Sequence, residues 1–340
     1  MLLRLQHGAA VEAVDAQTGT IRWIWTFRST KQTPEGPNDD GVVFTAVSPS
    51  GGFLVGASIA APAVDNYVKF DEFGRIIFGR RIDSSFFTLP TFADSFLLQP
   101  LNGLGASLVY TMDEYRLDSG REVGAVRGAA RVISKRGKNV LVLLDPGDRP
   151  SAFLGLDVGE IDLVHANLVT QHYYAPDFAE NYRRFVVDDA NGGAYSQLVP
   201  VADDRYIYIA VVSRLYRYPR SEPESQPLLV STDGTLLAGP IDGTLYLTRA
   251  SGVWSVRPQS RFIEERQVVA SRSDAVTMTT SGHTGFVVFK DGLVRGFDLG
   301  DGHRTFESRV ACLPSSITAN AAMVYVVCSV PAWRVTAFKR

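Results

Sequence analysis

The feature that most constrains this chain is a repeat of about 40 residues, a period typical of propellers, solenoids and arrays. Each copy has a short strand that often ends in Asp, a turn that contains Gly, and a second strand. The clearest copies are VEAVDAQTGTIRWIWTF from Val11, YVKFDEFGRIIFGRRI from Tyr67, EYRLDSGREVGAV from Glu114 and VRGFDLGDGHRTFESRV from Val294. Weaker copies begin at Phe153, Arg214 and Val253, and the closing WRVTAFKR, from Trp333, resembles the first strand alone.

A second hairpin precedes every copy except the first, as in VVFTAVSPSGGFLVGAS from Val42. These segments alternate apolar and polar residues, and none sustains the 3.6-residue period of a helix. Two hairpins make four antiparallel strands, and a repeated unit of that kind is a propeller blade. The sequence therefore predicts an all-β fold, with one β-propeller domain over residues 1–340. A β-sandwich is the alternative, but a sandwich does not repeat the same Asp and Gly turn in each unit.

The number of hairpins favours seven blades. The predicted boundaries lie near residues 41–83, 84–126, 127–166, 194–229, 230–268 and 269–310, with a seventh blade formed by 311–340 and 1–27. Pairing the N- and C-terminal strands in one blade would close the ring without leaving an unpaired strand edge at the seam. Eight blades, with two incomplete end blades, is the alternative.

The repeated aspartates are interpreted as turn residues. An Asp carboxylate accepts backbone N–H groups two residues further on, and Gly supplies the positive φ that a tight hairpin needs. Structural roles are therefore predicted for Asp15, Asp71 and Asp298.

The phrase AVDAQTGTIRWIWTF resembles the repeat of pyrroloquinoline-quinone-type, or quinoprotein-like, propellers. The resemblance is clearest at Asp15, Thr18, Gly19 and Trp23, is partial at Asp71 with Gly74 and at Asp298 with Gly302, and decays in the middle of the chain. A catalytic member of that family would need a quinone site, a calcium ion, a catalytic Asp and, commonly, two adjacent cysteines. The chain has two cysteines, which are not adjacent, so the resemblance implies a non-catalytic member.

Other chemistry has no motif to support it. The acid-rich turns NDDG from Asn38 and DDANGG from Asp188 are interpreted as surface turns, and the five histidines show no spacing typical of a metal site. There is no Gly-x-Ser-x-Gly elbow and no phosphate loop. We predict no catalytic residue, no cofactor and no metal ion.

The two cysteines fall in the predicted closing blade. Cys312 and Cys328 are equidistant from Asn320, so a hairpin that turns at Asn320 sets them opposite each other on neighbouring strands. The sequence leaves a disulfide and two buried thiols equally open.

Charge and hydropathy exclude several partners. A formal net charge of −2 provides no field that would attract nucleic acid. The opening MLLRLQHGAAVEAVD has an apolar run that is too short and interrupted for a secretory signal. No stretch of the sequence approaches the 18 or so consecutive apolar residues of a membrane-spanning helix. We expect protein partners, no nucleic acid and no direct membrane insertion, and the compartment stays open.

The repeat fails in one place, over residues 167–193, which we predict to be an insert. Its aromatic and arginine side chains are of the types that dominate interface hot spots, and the candidate partner-binding residues are Tyr173, Tyr174, Phe178, Tyr182, Arg183, Arg184 and Phe185. Packing of the insert across its own blade is the alternative. A second basic and aromatic segment, Arg214 to Arg220, is interpreted as a solvated strand.

These observations favour a non-catalytic scaffold for protein–protein interaction. The resemblance suggests a structural subunit of a larger assembly, such as a virion, organellar or envelope complex. The alternative function is a propeller enzyme that binds a small ligand or a quinone in its central channel.

Overall fold

The computed structural model describes residues 2–6, 10–15, 18–26, 42–47, 52–57, 67–71, 73–80, 86–91, 95–100, 111–116, 118–127, 129–136, 139–144, 155–162, 167–174, 199–211, 214–222, 225–259, 262–330 and 334–340. Every regular element in these ranges is a β-strand, as the alternating pattern predicts. The chain divides into two compact units, Met1–Arg149 with Asp157–Gln171 and Pro150–Leu156 with His172–Arg340. No helix among the described residues is long and apolar enough to cross a membrane.

The first unit contains four antiparallel sheets. A three-stranded sheet is formed by β1 (Leu2–Gln6), β2 (Ala10–Val14) and β3 (Ile21–Thr26). The second sheet contains β4 (Val42–Val47), β5 (Phe53–Ala57), β6 (Tyr67–Phe70) and β7 (Ile76–Arg80). The third contains β8 (Phe86–Thr91), β9 (Ser95–Pro100), β10 (Thr111–Arg116) and β11 (Glu122–Arg127). The fourth contains β12 (Ala129–Arg136), β13 (Asn139–Leu144), β14 (Gly155–Asp162) and β15 (Asn167–Tyr174).

The second unit also contains four antiparallel sheets. Its first consists of β16 (Val199–Ala202), β17 (Tyr206–Val211), β18 (Arg214–Pro219) and β19 (Leu228–Ser231). The next consists of β20 (Thr235–Ile241), β21 (Thr244–Arg249), β22 (Gly252–Pro258) and β23 (Ile263–Ala270). It is followed by β24 (Ala275–Ser281), β25 (Thr284–Phe289), β26 (Leu293–Asp298) and β27 (Arg304–Arg309). The last sheet has three strands, β28 (Leu313–Ala319), β29 (Met323–Val330) and β30 (Arg334–Lys339).

The hydrophobic core of the second unit lies between successive sheets, because the middle strands are buried on both faces. In β25 all six residues are buried. Val287 and Phe289 contact the β20–β23 sheet, whereas Phe286 and Val288 contact the β28–β30 sheet. This division follows from the two-residue period of a strand, which sends alternate side chains to opposite faces.

The predicted four-stranded unit is confirmed in six sheets. The first and last parts of the chain each form a three-stranded sheet among the described residues. Strand β1, with the sequence LLRLQ, lies ahead of the first repeat and was not predicted as a strand. The number of blades, seven or eight, and the closure of the ring stay predictions.

The fourth sheet corrects another boundary. The segment from Phe153 was predicted as a hairpin, but residues 155–162 form the single strand β14. The fourth strand is β15, which occupies the first eight residues of the predicted insert. The weak apolar alternation of NLVTQHYY left this strand outside the predicted blade.

Candidate interaction surface

The predicted insert lies mostly outside the described residues. Tyr173 and Tyr174 end strand β15, whereas Phe178, Tyr182, Arg183, Arg184 and Phe185 lie outside the described residues. Both acid-rich turns, NDDG and DDANGG, also lie outside them. The partner-binding role of the insert therefore stays a prediction.

The repeated aspartates cap turns, as their spacing predicts. Asp15 Oδ1 accepts the Thr18 N–H at 2.9 Å, and its other oxygen pairs with the Arg22 guanidinium. Asp71 Oδ1 accepts the N–H groups of Phe73 and Arg75, each at 2.9 Å. Burial acts to raise the pKa of Asp71, but hydrogen bonds from Arg75 and Phe73 outweigh it and hold the pKa below its usual range. These carboxylates are committed to their own turns.

One copy of the turn departs from the repeat. Gly19 donates its N–H to the Asp15 carbonyl at 2.9 Å, and Gly120 donates in the same way to Arg116 at 2.9 Å. Arg116 therefore occupies the position in this turn that Asp15 occupies in the first turn. The sequence pattern predicts Asp118 for that position, but Asp118 lies two residues further along the chain. The Asp118 carboxylate pairs with Arg116 instead of capping the turn at that first position.

The glycine of this turn is where one sheet contacts the next. A Cβ atom added to Gly74 would lie 2.4 Å from Cδ1 of Trp23, and one added to Gly120 would lie 2.6 Å from Cδ2 of Phe78. Both glycines have positive φ, +86° and +62°. The Trp23 ring also stacks on Phe70 with 5.0 Å between ring centroids. The turn thus serves packing between sheets as well as reversal of the chain.

Arginines make the corresponding contact in the second unit. Arg217 is buried, its guanidinium lies 4.3 Å from the centre of the Tyr206 ring, and it donates to the carbonyl of Pro258 at 2.7 Å and that of Gln259 at 3.2 Å. Arg266 donates to the Gly300 carbonyl at 2.9 Å in the following sheet. The prediction that Arg214 to Arg220 form a solvated strand is wrong, because Tyr216, Arg217 and Tyr218 are buried between sheets.

A cavity of about 220 Å³ opens beside Arg249 in the second unit. The guanidinium is nearly buried, donates to both Glu265 oxygens at 3.0 and 2.8 Å and to Ser231 Oγ at 2.9 Å, and lies over the Trp254 ring. Its Nε lies 3.1 Å from Asp233 Oδ1. Through these contacts Arg249 joins β19 to the next sheet. The charged groups of the cavity wall are therefore paired with one another and have a structural role.

One group among the described residues has the donor types of a metal site, namely Asp298, Asp301 and His303. Asp298 Oδ1 accepts the N–H groups of Gly300 and Asp301, at 2.8 and 3.1 Å. Asp301 Oδ1 accepts the His303 N–H at 2.9 Å and lies 2.6 Å from His303 Nδ1. Asp301 and His303 are exposed and Asp298 is half-buried. The carboxylate oxygens already stabilise the turn, so the geometry is that of a capped hairpin.

The two cysteines lie close together, but not in the predicted register. The β28–β29 hairpin turns between Asn320 and Met323, which places Pro314 opposite Cys328 and Cys312 one residue before β28. The Cα atoms are 5.9 Å apart and the Sγ atoms are in bonding contact. The pair is placed for a disulfide, and its redox state stays a prediction.

Among the described residues, exposed apolar side chains concentrate on the outermost strands of four sheets. Of the ten large hydrophobic residues that are exposed among those described, eight lie on an outermost strand or on the turn that leads to it: Ile21, Ile24, Phe73, Ile76, Ile77, Leu228, Leu229 and Phe262. Five of the eight lie on the first two sheets, which Trp23 joins. We call Ile21, Ile24, Phe73, Ile76 and Ile77 the outer-strand patch.

The outer-strand patch has the chemistry of a contact surface. Phe73 is 68% exposed and its ring lies 5.6 Å from the Arg75 guanidinium carbon. Arg22 and Arg75 are exposed and are anchored by the turn carboxylates of Asp15 and Asp71. Aromatic and aliphatic groups with a polar rim of arginine are typical of protein interfaces. Sequence reasoning missed this patch, although IRWIW and FGRIIF carry more apolar residues than strict alternation requires.

Comparison with known proteins identifies the fold class. BamB from Moraxella catarrhalis is similar with a TM-score of 0.55 and 13% identity, over 99% of this chain and 93% of that one. The C-terminal WD40 domain of Sif2 has a TM-score of 0.59 and 10% identity, over 99% and 92%. Sqt1 from Saccharomyces cerevisiae has a TM-score of 0.57 and 8% identity, over the same shares.

BamB and the WD40 proteins are β-propellers, so the predicted fold class is confirmed as a β-propeller of antiparallel four-stranded sheets. No protein-family model and no curated protein matches the sequence. The likeness at these identities is therefore one of fold.

Proposed function

We propose that this protein is a non-catalytic scaffold that holds partner proteins within a larger assembly, of the virion, organellar or envelope type. The observation that carries the proposal is the outer-strand patch, five exposed apolar side chains at the outermost strands of the first two sheets. Apolar surface that stays in contact with water is unfavourable unless a partner covers it, so such patches mark interaction sites. Protein partners, without nucleic acid or membrane insertion, follow from this surface and from the balanced charge.

The charged residues support a scaffold over an enzyme. Asp15, Asp71 and Asp298 cap turns, and Arg217 and Arg249 join neighbouring sheets. Catalysis needs a reactive group within hydrogen-bond reach of a base that is free to accept its proton. The pairs described above are instead engaged with backbone groups or with each other.

The proposal extends to the finer features of the fold. We propose that the repeat is of the pyrroloquinoline-quinone type, that residues 1–340 are one propeller domain, and that the eight sheets are its blades. The coverage of BamB over nearly the whole of both chains supports this arrangement. The insert over residues 167–193 is proposed as a second partner contact, with Phe178, Tyr182 and Arg183 among its candidate anchors.

Two variants of the full chain test the function. In the first, Phe73→Ser and Ile77→Ser together remove the apolar groups of the outer-strand patch, and in the second residues 170–190 are deleted. Tagged protein is recovered from its native source after chemical cross-linking, and the partners are quantified by mass spectrometry. We expect about a tenfold loss of the principal partners when an interface anchor is truncated.

The matched control is Phe262→Ser. Phe262 is 64% exposed and lies in the corresponding turn of a sheet in the second unit, but it is outside the outer-strand patch. Recovery should stay at the wild-type level in this control. If both test variants recover the same partners as the wild type, neither surface holds them and the scaffold proposal fails.

A further inference from the structure

The cavity beside Arg249 has the size of a single side chain. It lies where the chain passes from β19, the outermost strand of one sheet, to β20 of the next, and residues 229–233 form one part of its lining. Arg249 and Glu265 form the rest. The volume of about 220 Å³ is smaller than the roughly 300–1,000 Å³ of pockets that hold drug-sized ligands and cofactors. The cavity thus has room for one long side chain.

The lining of this cavity carries an excess of negative charge. Its charged groups are one guanidinium, that of Arg249, and two carboxylates, those of Asp233 and Glu265. Both Glu265 oxygens accept hydrogen bonds from the guanidinium, at 3.0 and 2.8 Å. The cation next in sequence, Arg266, instead donates to the Gly300 carbonyl in the following sheet. Two carboxylates therefore share one cation, and one negative charge is left over.

Asp233 is the charged group of the lining that is best placed to bind a ligand. Its side chain is 65% exposed, whereas that of Arg249 is 10% exposed, so the carboxylate lies nearer to solvent than the guanidinium. Arg249 Nε lies 3.1 Å from Asp233 Oδ1 but makes no hydrogen bond. Ser231 Oγ donates to the same oxygen at 3.3 Å. Among the described residues these contacts fall on Oδ1, which leaves Oδ2 to accept from a ligand.

The cavity favours a cation over an anion. The two terminal nitrogens of Arg249 already donate to Glu265 and Ser231, and its Nε is buried. An anion would have to displace these partners, and the exposed Asp233 carboxylate would repel it. A cation would instead be attracted to Asp233 without disturbing any of these contacts.

Two leucines extend the cavity into an apolar surface. Leu229 lines the cavity and is 39% exposed, and its neighbour Leu228 is 37% exposed. Lysine and arginine side chains combine an apolar stem with a charged end, so they match a cavity that presents Leu229 together with Asp233. A protein that supplies such a side chain also covers the leucines, which a free ion or a small amine would leave in water.

We infer that this cavity receives a lysine or arginine side chain of a partner protein. The charged end of that side chain would donate to Asp233 Oδ2, and its stem would contact Leu229. This inference rests on the proposed scaffold function and names one feature by which the scaffold recognises a partner.

Short peptides test the site in the full-length protein. The probe is the acetylated peptide amide SLKLS, and its matched control has norleucine in place of lysine, which keeps the stem and removes the charge. Each is added at millimolar concentration to protein with ¹⁵N-labelled tryptophan. The chain has four tryptophans, and Trp254 is the reporter because its ring lies 5.1 Å from the guanidinium carbon of Arg249. The variant Trp254→Phe assigns its indole signal.

The lysine peptide should shift the Trp254 signal saturably and bind about fivefold more tightly than the norleucine peptide at low ionic strength, as expected of an exposed ion pair. The difference should shrink at high salt. Butylammonium, which has the charge and stem without a peptide, should bind at least about tenfold more weakly than the lysine peptide because it leaves the leucines uncovered. Equal affinity would assign the cavity to free amines and overturn the partner protein as its source.

Variants of the lining separate charge from apolar contact. Asp233→Asn should abolish the preference for the lysine peptide. The matched control Asp242→Asn removes a carboxylate at an exposed position between β20 and β21, outside the cavity, and should keep the preference. Leu229→Ser should weaken both peptides alike. The tryptophan signals of the free variants show whether each keeps the wild-type fold.

Three results would overturn the inference: no shift of the Trp254 signal, equal binding of the two peptides, and equal effects of Asp233→Asn and Asp242→Asn. Recovery of native partners distinguishes this failure from failure of the scaffold function. If the peptides are not distinguished but the outer-strand variants lose their partners, the scaffold stands and the cavity site does not. If the lysine peptide binds as expected while Phe73→Ser with Ile77→Ser keeps every partner, the cavity site stands and the outer-strand patch does not.

Discussion

Replacing Gly74 by Ala tests whether the repeated turn is a contact between sheets. Gly19 and Gly74 hold corresponding positions in two turns and have similar positive φ angles, +73° and +86°. A Cβ atom at Gly19 would meet nothing within 4 Å, whereas one at Gly74 would lie 2.4 Å from the Trp23 ring. The pair therefore separates backbone strain from contact with the neighbouring sheet.

The structure sets the expected magnitudes. In both variants the left-handed conformation costs a residue with a Cβ atom about 1–2 kcal/mol, offset by about 0.4–1 kcal/mol because Ala restricts the unfolded chain. Gly19→Ala should thus destabilise the protein by about 1 kcal/mol. Gly74→Ala should add about 1–3 kcal/mol for overpacking, since Trp23 must leave its stack on Phe70.

Local stability is best measured by native-state hydrogen exchange of the β6–β7 amides, because a protein of two compact units need not unfold in one step. Trp23→Ala provides a second check. In that background the ring is gone, so Gly74→Ala should cost no more than Gly19→Ala, and the double-mutant cycle should return the overpacking energy. Equal losses in Gly74→Ala and Gly19→Ala, within about 0.5 kcal/mol, would refute the contact between the turn and Trp23.

Three further predictions concern the other contacts between and within sheets. Arg217→Ala removes two hydrogen bonds to the backbone of the next sheet and should lower the free energy of unfolding by about 2–4 kcal/mol in denaturant titrations. The control Arg205→Ala, at an exposed position of the same sheet, should change it by less than about 0.5 kcal/mol, and equal effects of the two substitutions would contradict the inter-sheet role. Because hydrogen bonds hold the pKa of Asp71 below its usual range, its contribution to stability should be present above the ordinary carboxyl pKa and lost as the pH falls through the folded-state pKa. Melting temperatures of wild type and Asp71→Asn should therefore converge in acid, and a gap that persists there would argue against the linkage. If Cys312 and Cys328 form a disulfide, reduction should destabilise the oxidised protein by about 3 kcal/mol by the loop-entropy account, and Cys312→Ala should abolish the response to reductant.

The sequence determined the repeating unit because its signals are local. Alternation of apolar residues, an Asp at the end of a strand and a Gly after it are recognised within a few residues, so five of the six four-stranded sheets and the roles of Asp15 and Asp71 could be predicted. The resemblance carried by Asp15, Thr18, Gly19 and Trp23 pointed to a propeller for the same reason. Where the local signal weakened, as in LLRLQ and NLVTQHYY, strands β1 and β15 were missed.

Tertiary structure decided what each residue does after its strand has formed. Alternation assigns Arg217 to one face of β18, but only the neighbouring sheet supplies the carbonyls that bury it, and an isolated sequence gives no sign of them. The same holds for Gly74, whose partner Trp23 lies on another sheet, and for Cys312, which a shifted hairpin register still brings to Cys328. The outer-strand patch belongs to this group, because the exposure of a side chain depends on which surfaces other strands leave uncovered.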